Sequence, residues 1–278
     1  MSPVNTEQEH EDLTRKQRRE QARAQRRTLE EAEAAAAVRR TRLTLLGIVL
    51  AVVVAGVGVV VLTSAGGGRP KKIAPESGQA RQVSSQVAAL LAGIPQNGNA
   101  LGQPTAPVTL QYFGDLECPV CRAFTIGALP PIIHKWVRTG KLRIEYRSLE
   151  TATREPEVFR AQQVAALAAG EQKKMWNFVE TFYHEQQEED TGYVTEGFIR
   201  GVAKQVSGLN LTQWTGERAD AALMDQVASD AQTASSSGLN GTPAFLIGRS
   251  GGAASQLEPS SFTEPSSFNA AIEKLVNS

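Results

Sequence analysis

The stretch Glu117-Cys118-Pro119-Val120-Cys121-Arg122 holds the only two cysteines among 278 residues and sets them two residues apart. If a helix begins at the first cysteine, this spacing puts Cys118 at the helix N-terminus and Cys121 one turn inside, close enough for the sulfurs to close a small disulfide ring. Such a pair is oxidised and reduced without refolding the chain. First-turn N–H groups lack carbonyl partners and carry the positive end of the helix dipole, so they stabilise a thiolate placed there. In C-x-x-C sites the thiol pKa falls from about 8.5 to roughly 3.5–7.5. Pro119 suits the first helical position, where no N–H is needed. Asp115 and Glu117 act in the opposite direction, because a carboxylate near a thiolate disfavours the charged form.

Other readings of the pair compete with this one. A zinc site needs four ligands, and His10, His134 and His184 are scattered, so no metal is expected. A purely structural disulfide across so short a loop removes only about 2 kcal/mol of unfolded-state entropy. Two reduced core thiols stay open for a domain held in a reducing compartment.

Outward from the cysteines, Val108 to Phe113 is β-branched and aromatic and reads as a strand leading into Gly114-Asp115 and the pair. A helix is expected from the cysteines to about Val137, kinked at Pro130-Pro131 and ended by Gly140. Lys141 to Arg147 alternates polar and apolar, a second strand with one buried face. From about 155 to 236 the periodicity is helical throughout, with Gly170, Gly192, Gly208 and Gly216 expected as separators. Thr242-Pro243 then opens a third strand running to Gly248. A fourth edge strand is expected near Ser255 to Glu258, and a last helix over Phe268 to Val276. His134 reads as a surface or packing residue, and Trp136, Trp176, Phe178 and Phe182 as core. Glu117 is the candidate proton relay for Cys121, since a carboxylate beside a buried thiol can serve as general base.

Upstream, Val83 to Leu91 has helical apolar spacing and stops at Gly93 and Pro95. Residues 64–83 are polar and glycine-rich, a flexible linker. Leu43 to Leu62 is a run of 20 residues whose only polar member is Thr44, with no charge between Arg42 and Arg69. As a helix it is about 30 Å long, the thickness of a bilayer core, and 43–63 is expected to span a membrane. Arg23, Arg26, Arg27, Arg39, Arg40 and Arg42 precede it; Arg69, Lys71, Lys72 and Arg81 follow, which favours a cytoplasmic N-terminus. Residues 1–42 form a polar, charged tail with too few apolar residues for a buried stripe. Its basic run leaves anionic lipid or nucleic acid open as a local partner, although no nucleic-acid partner is expected of the protein as a whole. The chain is 41% hydrophobic and 21% charged with zero net charge, and residues 84–278 suffice for one domain with its own core.

The order strand, C-x-x-C helix, strand, helices, Thr-Pro strand and helix resembles the thioredoxin fold. With the all-helical insertion the chain looks like the DsbA-like disulfide oxidoreductases. The resemblance rests on Leu101-Gly-x-x-x-Ala106-Pro107-Val-Thr-Leu, Phe113-x-Asp115-x-x-Cys118-Pro119-x-Cys121-x-x-Phe124, Trp176-x-Phe178-x-x-x-Phe182-Tyr183 and Gly241-Thr242-Pro243-Ala-Phe245. It implies a thioredoxin-like α/β fold and catalysis by Cys118 and Cys121 without a cofactor. It also implies a cis Thr242–Pro243 bond facing the sulfurs, with the Thr242 backbone free to pair with an extended substrate. Reduced exported proteins as substrates and a membrane quinone-linked reoxidant are further implications. The dipeptide between the cysteines is Pro119-Val120, without the histidine that strongly oxidising members often carry. The expected activity is thus a membrane-anchored, extracytoplasmic thiol–disulfide oxidoreductase. Its alternatives are the same chemistry run as a reductase or isomerase, or a non-catalytic chaperone or assembly module that keeps a structural disulfide.

Overall fold

The computed structural model describes residues 74, 75 and 77–278; the expected tail 1–42, the apolar span 43–63 and residues 64–73 of the linker lie outside them. Among the described residues no helix is long and apolar enough to cross a membrane. The first helix, α1 (Gly78–Leu91), starts where the Ser77 hydroxyl accepts the Ala80 N–H at 3.0 Å. It buries Val83, Val87 and Leu91 along one face. Its C-terminal carbonyls, which lack intrahelical donors, are met by the Arg138 guanidinium at Leu90 and Ala92.

Two short strands follow, β1 (Gln96–Asn97) and β2 (Ala100–Leu101), paired antiparallel around Gly98. At two residues each they are too short for any alternation to be visible in the sequence. The central strand β3 (Val108–Gly114) lies between β4 (Leu142–Ser148) and β5 (Ala244–Arg249) in a sheet ordered β1-β2-β4-β3-β5-β6, with β6 (Ala254–Gln256) at the edge. β3 runs parallel to β4 and antiparallel to β5. The expected third and fourth strands are thus present, the fourth beginning one residue earlier than its sequence suggests.

Between β3 and β4 the chain forms α2 (Pro119–Ile126), α3 (Leu129–Ile132) and a π-helical turn over Ile133–Val137. The interruption falls at Gly127–Ala128, not at Pro130-Pro131. Pro130 sits in the first turn of the second segment, where a missing N–H has no consequence, so the chain breaks just before it. Gly127 fits there because a Cβ would come within 2.7 Å of the Ala123 carbonyl.

The helical insertion comprises α4 (Pro156–Glu171), α5 (Met175–Glu185), α6 (Glu196–Gln205), α7 (Leu211–Glu217) and α8 (Ala221–Ser236). Gly170 and Gly216 lie inside helices rather than between them. Gly170 lets α4 approach the β1–β2 turn, since a Cβ there would lie 2.9 Å from the Gly98 carbonyl oxygen. After Gly216 the chain turns only at Arg218–Asp220, and Asp220 caps α8 through the Ala222 N–H. The chain ends in α9 (Ser266–Val276). Trp136, Trp176, Phe178 and Phe182 are buried as expected of core residues, and His134 is exposed. Tyr112, Phe124, Phe245 and Phe268 pack ring against ring between the sheet and the helices α2 and α9, with centroids 4.8–5.5 Å apart. Replacing the fully buried Phe124 by alanine would cost about 3–5 kcal/mol by lost transfer energy and the cavity left behind.

α5 buries every residue from Met175 to Tyr183, including the Glu180 carboxyl, whose Oε1 has no hydrogen-bond partner. Burial pushes this acid up to about 8. The unfolded carboxyl has a pKa near 4.5, so the folded state holds a proton that the unfolded state releases, and stability falls as pH rises from about 4.5 to 8. Glu180→Gln removes that proton uptake. Its stability relative to the parent is expected to grow by about 3 kcal/mol between pH 4.5 and 7, measured by urea unfolding. A difference that stays flat over this range would contradict the assignment.

Candidate active site

The sheet register gathers three loops at one edge. Phe113 at the end of β3 pairs with Ala244 at the start of β5, so Thr242-Pro243 arrives beside the segment leading to Cys118. Gly114 pairs with Ser148 at the end of β4, and the Leu149 N–H donates to the Gly114 carbonyl at 3.1 Å, bringing the 149–153 loop to the same place. The Thr242–Pro243 bond is cis.

Cys118 caps α2. Its Sγ accepts the Cys121 N–H at 3.3 Å, Pro119 follows in the first turn, and both cysteines are free thiols. Opposite, the Cys118 thiol donates to the Thr242 carbonyl at 3.4 Å. The hydrogen bond with the Cys121 thiol, then those from Thr242 and from the N–H groups of Cys121 and Val120, outweigh burial and lower the Cys118 thiol from an ordinary 9.0 to about 6. Cys121 is fully buried, and burial followed by the hydrogen bond to Cys118 pushes its thiol well above the usual range. One sulfur is therefore poised as a thiolate while the other holds its proton.

The carboxylates feared from the sequence are engaged elsewhere. Asp115, fully buried, accepts five hydrogen bonds: from the N–H groups of Glu117, Thr151, Ala152 and Thr153 and from the Thr153 hydroxyl. Glu117 lines a cavity of about 410 Å³ with Arg154, Glu155 and Asp190. Burial, then the neighbouring Asp115, Glu155 and Asp190, raise its carboxyl to about 7. Among the described residues no hydrogen bond joins it to Cys121, so the structure does not bring the candidate relay onto the buried sulfur.

Several residues to which the sequence assigned no role at the site hold the cysteine segment. The Tyr183 hydroxyl donates to the Asp115 carbonyl at 3.1 Å, and the Tyr112 hydroxyl donates to Tyr183 at 3.1 Å and approaches the Cys121 carbonyl at 3.4 Å. Burial drives both phenols upward, so they remain donors. Gln186 donates to the carbonyls of Leu116 and Cys118 at 2.8 and 3.2 Å. Apart from the Tyr112–Cys121 contact, these bonds join residues about seventy positions apart, and no local pattern announces them. Among the described residues no His, Cys, Asp and Glu cluster suits a metal ion.

The sequence of residues 96–261 matches the family described as Thioredoxin, over more than half of the chain. The chain belongs to the thioredoxin family. Disulfide bond formation protein D of Bacillus subtilis is 24% identical over 152 residues, which cover 53% of this chain and 66% of that protein. The probable disulfide bond formation protein D of Bacillus anthracis is 22% identical over 149 residues, covering 53% and 68%. Among solved structures, oxidised BdbD from Bacillus subtilis shares the fold with a TM-score of 0.56 at 20% identity, over 68% of this chain and 98% of that one. The alpha-DsbA1 structure from Wolbachia pipientis gives 0.54 at 20% identity, over 67% and 92%. This member of the thioredoxin family is a protein thiol–disulfide oxidoreductase.

The asymmetry of the two thiols has a direct readout. Alkylation of the reduced protein by iodoacetamide is expected at Cys118 alone, with a rate that rises with pH about a midpoint near 6. A midpoint near 9.0, or equal labelling of Cys121, would contradict it.

Proposed function

We propose that the protein forms disulfides in exported proteins, using Cys118 and Cys121 as the redox pair and Thr242 and Pro243 as the client-binding loop. The observation that carries this reading is the lowered Cys118 thiol beside the raised Cys121 thiol. A stabilised thiolate favours the reduced protein, and a couple whose reduced form is stabilised is an oxidant.

In the reaction, a client thiolate attacks Cys118 Sγ of the Cys118–Cys121 disulfide. The S–S bond breaks and Cys121 leaves with the electron pair, taking up a proton. A second client thiolate then attacks the client sulfur of the mixed disulfide, and Cys118 departs as the better leaving group because its thiolate is stabilised. Two electrons pass from client to protein. While Cys118 is bonded to the client it no longer donates to Thr242, whose carbonyl is then open to an N–H of an extended client chain. A groove of about 320 Å³ continues from Thr242 and Pro243 past Leu257, Pro259 and Phe262, with room for client side chains.

The proposal extends to location and partners. Residues 43–63 anchor the chain in the cytoplasmic membrane, with the N-terminus cytoplasmic and the redox domain outside, where disulfides persist. A membrane quinone-linked partner returns the pair to the disulfide. The apolar run and its flanking charges support the anchor, and the descriptions of the Bacillus relatives support the direction of electron flow.

In Cys121→Ser the Cys118 thiolate can still attack a disulfide of an oxidised client, releasing one client thiolate, and no Cys121 thiol is there to displace the bound client sulfur. This variant is expected to accumulate Cys118–client mixed disulfides, visible as adducts that a reductant removes, whereas Cys118→Ser forms none and neither variant oxidises a dithiol substrate. Undiminished oxidation by the Cys118→Ser protein would refute the role. A membrane-impermeant thiol reagent should reach Cys118 in intact cells, and labelling only after lysis would refute the location.

A further inference from the structure

The 149–153 loop has no place in the chemistry above, yet it touches both halves of the site. The Asp115 Oδ2 atom collects the N–H groups of Thr151, Ala152 and Thr153 at 3.0, 2.9 and 2.9 Å. Its Oδ1 atom accepts the Glu117 N–H at 3.0 Å and the Thr153 hydroxyl at 2.6 Å. The Thr153 oxygen in turn accepts from Gln162 at 2.7 Å, which leaves its own proton for Asp115. A carboxylate gripping three successive N–H groups allows the loop little freedom, because charge-assisted bonds are about twice as strong as neutral ones. The first residue so held, Thr151, points its hydroxyl at the Thr242 hydroxyl and is bonded to it. Thr242 is the residue whose carbonyl faces Cys118 Sγ.

We infer that Asp115 and Thr151 are positioning residues of the redox site: Asp115 fixes Thr151, and the Thr151 hydroxyl donates to the Thr242 hydroxyl so that the Thr242 proton is turned toward the cysteine sulfurs. A hydroxyl has one proton to give. When Thr151 supplies the proton between the two threonines, the Thr242 proton is free to meet a thiolate. When Thr151 is absent, Thr242 competes for water and its orientation is lost. Either threonine can supply the proton in this pair, and the variants below distinguish the two assignments. The lowering that Thr242 exerts on Cys118 fits this orientation. Thr151 is exposed, so its hydroxyl adds little to the core, and its effect is on the sulfur rather than on folding.

The inference rests on Cys118 being the nucleophilic sulfur, but its test needs no client. Thr151→Val keeps the shape and removes the hydroxyl; Thr151→Ser keeps the hydroxyl. In the reduced full-length protein, the pH midpoint of Cys118 alkylation is expected to rise by about one unit in Thr151→Val, part of the strength of one charge-assisted hydrogen bond, and to stay at the parent value in Thr151→Ser. A parent-like midpoint in Thr151→Val, or equal shifts in both variants, would overturn it. Should client oxidation fail in the parent while the midpoint still follows the hydroxyl, the function is wrong and the positioning stands.

Discussion

The redox site depends on the pairing of β3 with its two neighbours. β3 meets β4 in parallel and β5 in antiparallel register, so the end of β3, the end of β4 and the start of β5 reach the same edge of the sheet. That pairing delivers Cys118, Thr151 and Thr242 to one point from positions as much as 124 residues apart in the chain. A slip of one residue in β5 would turn Phe245 and Ile247 out of the core and withdraw Thr242 from the sulfur, because alternate strand residues face opposite sides. The apolar face of the sheet therefore enforces the geometry of the site. Phe245, locked among Tyr112, Phe124 and Phe268, fixes the strand that carries Pro243.

Upon this frame the two sulfurs acquire opposite character. Cys118 stands at a helix start, takes hydrogen bonds from its neighbours and is lowered to about 6; Cys121, one turn on, is sealed beneath it and raised. The insertion holds the segment that carries the two sulfurs. Tyr183 and Gln186, in and just beyond α5, hold the carbonyls of Asp115, Leu116 and Cys118. The helical insertion is thus part of the redox apparatus, because it determines where the cysteine loop can sit.

Much of this was legible in the sequence, and the reasons are physical. Two cysteines two residues apart, a β-branched strand before them and a Thr-Pro strand far downstream are local signals, and local signals survive without a structure. The helices of the insertion were visible in their periodicity, but Gly170 and Gly216 misled as separators. A glycine that admits a neighbouring backbone looks, in sequence, the same as one that ends a helix. Pro130 and Pro131 misled in a related way, since proline disturbs a helix interior but is at home in a first turn. The two-residue strands β1 and β2 carry no periodicity at all. Asp115 was visible as part of the cysteine motif and as an unfavourable charge, whereas its carboxylate is enclosed by N–H donors 36 to 38 residues away. The partnership of Thr151 with Thr242, and of Tyr183 with the cysteine loop, exists only once the sheet has closed. Residues 43–63 pose the reverse case, a strong apolar signal outside the described residues.

The central claim is that a stabilised Cys118 thiolate makes the reduced pair the favoured state, and the most direct measurement is the reduction potential of the Cys118–Cys121 couple against a glutathione buffer. A value nearer about −120 mV, that of a strongly oxidising pair, is predicted, and a value near −270 mV, that of a reductant, would contradict the account.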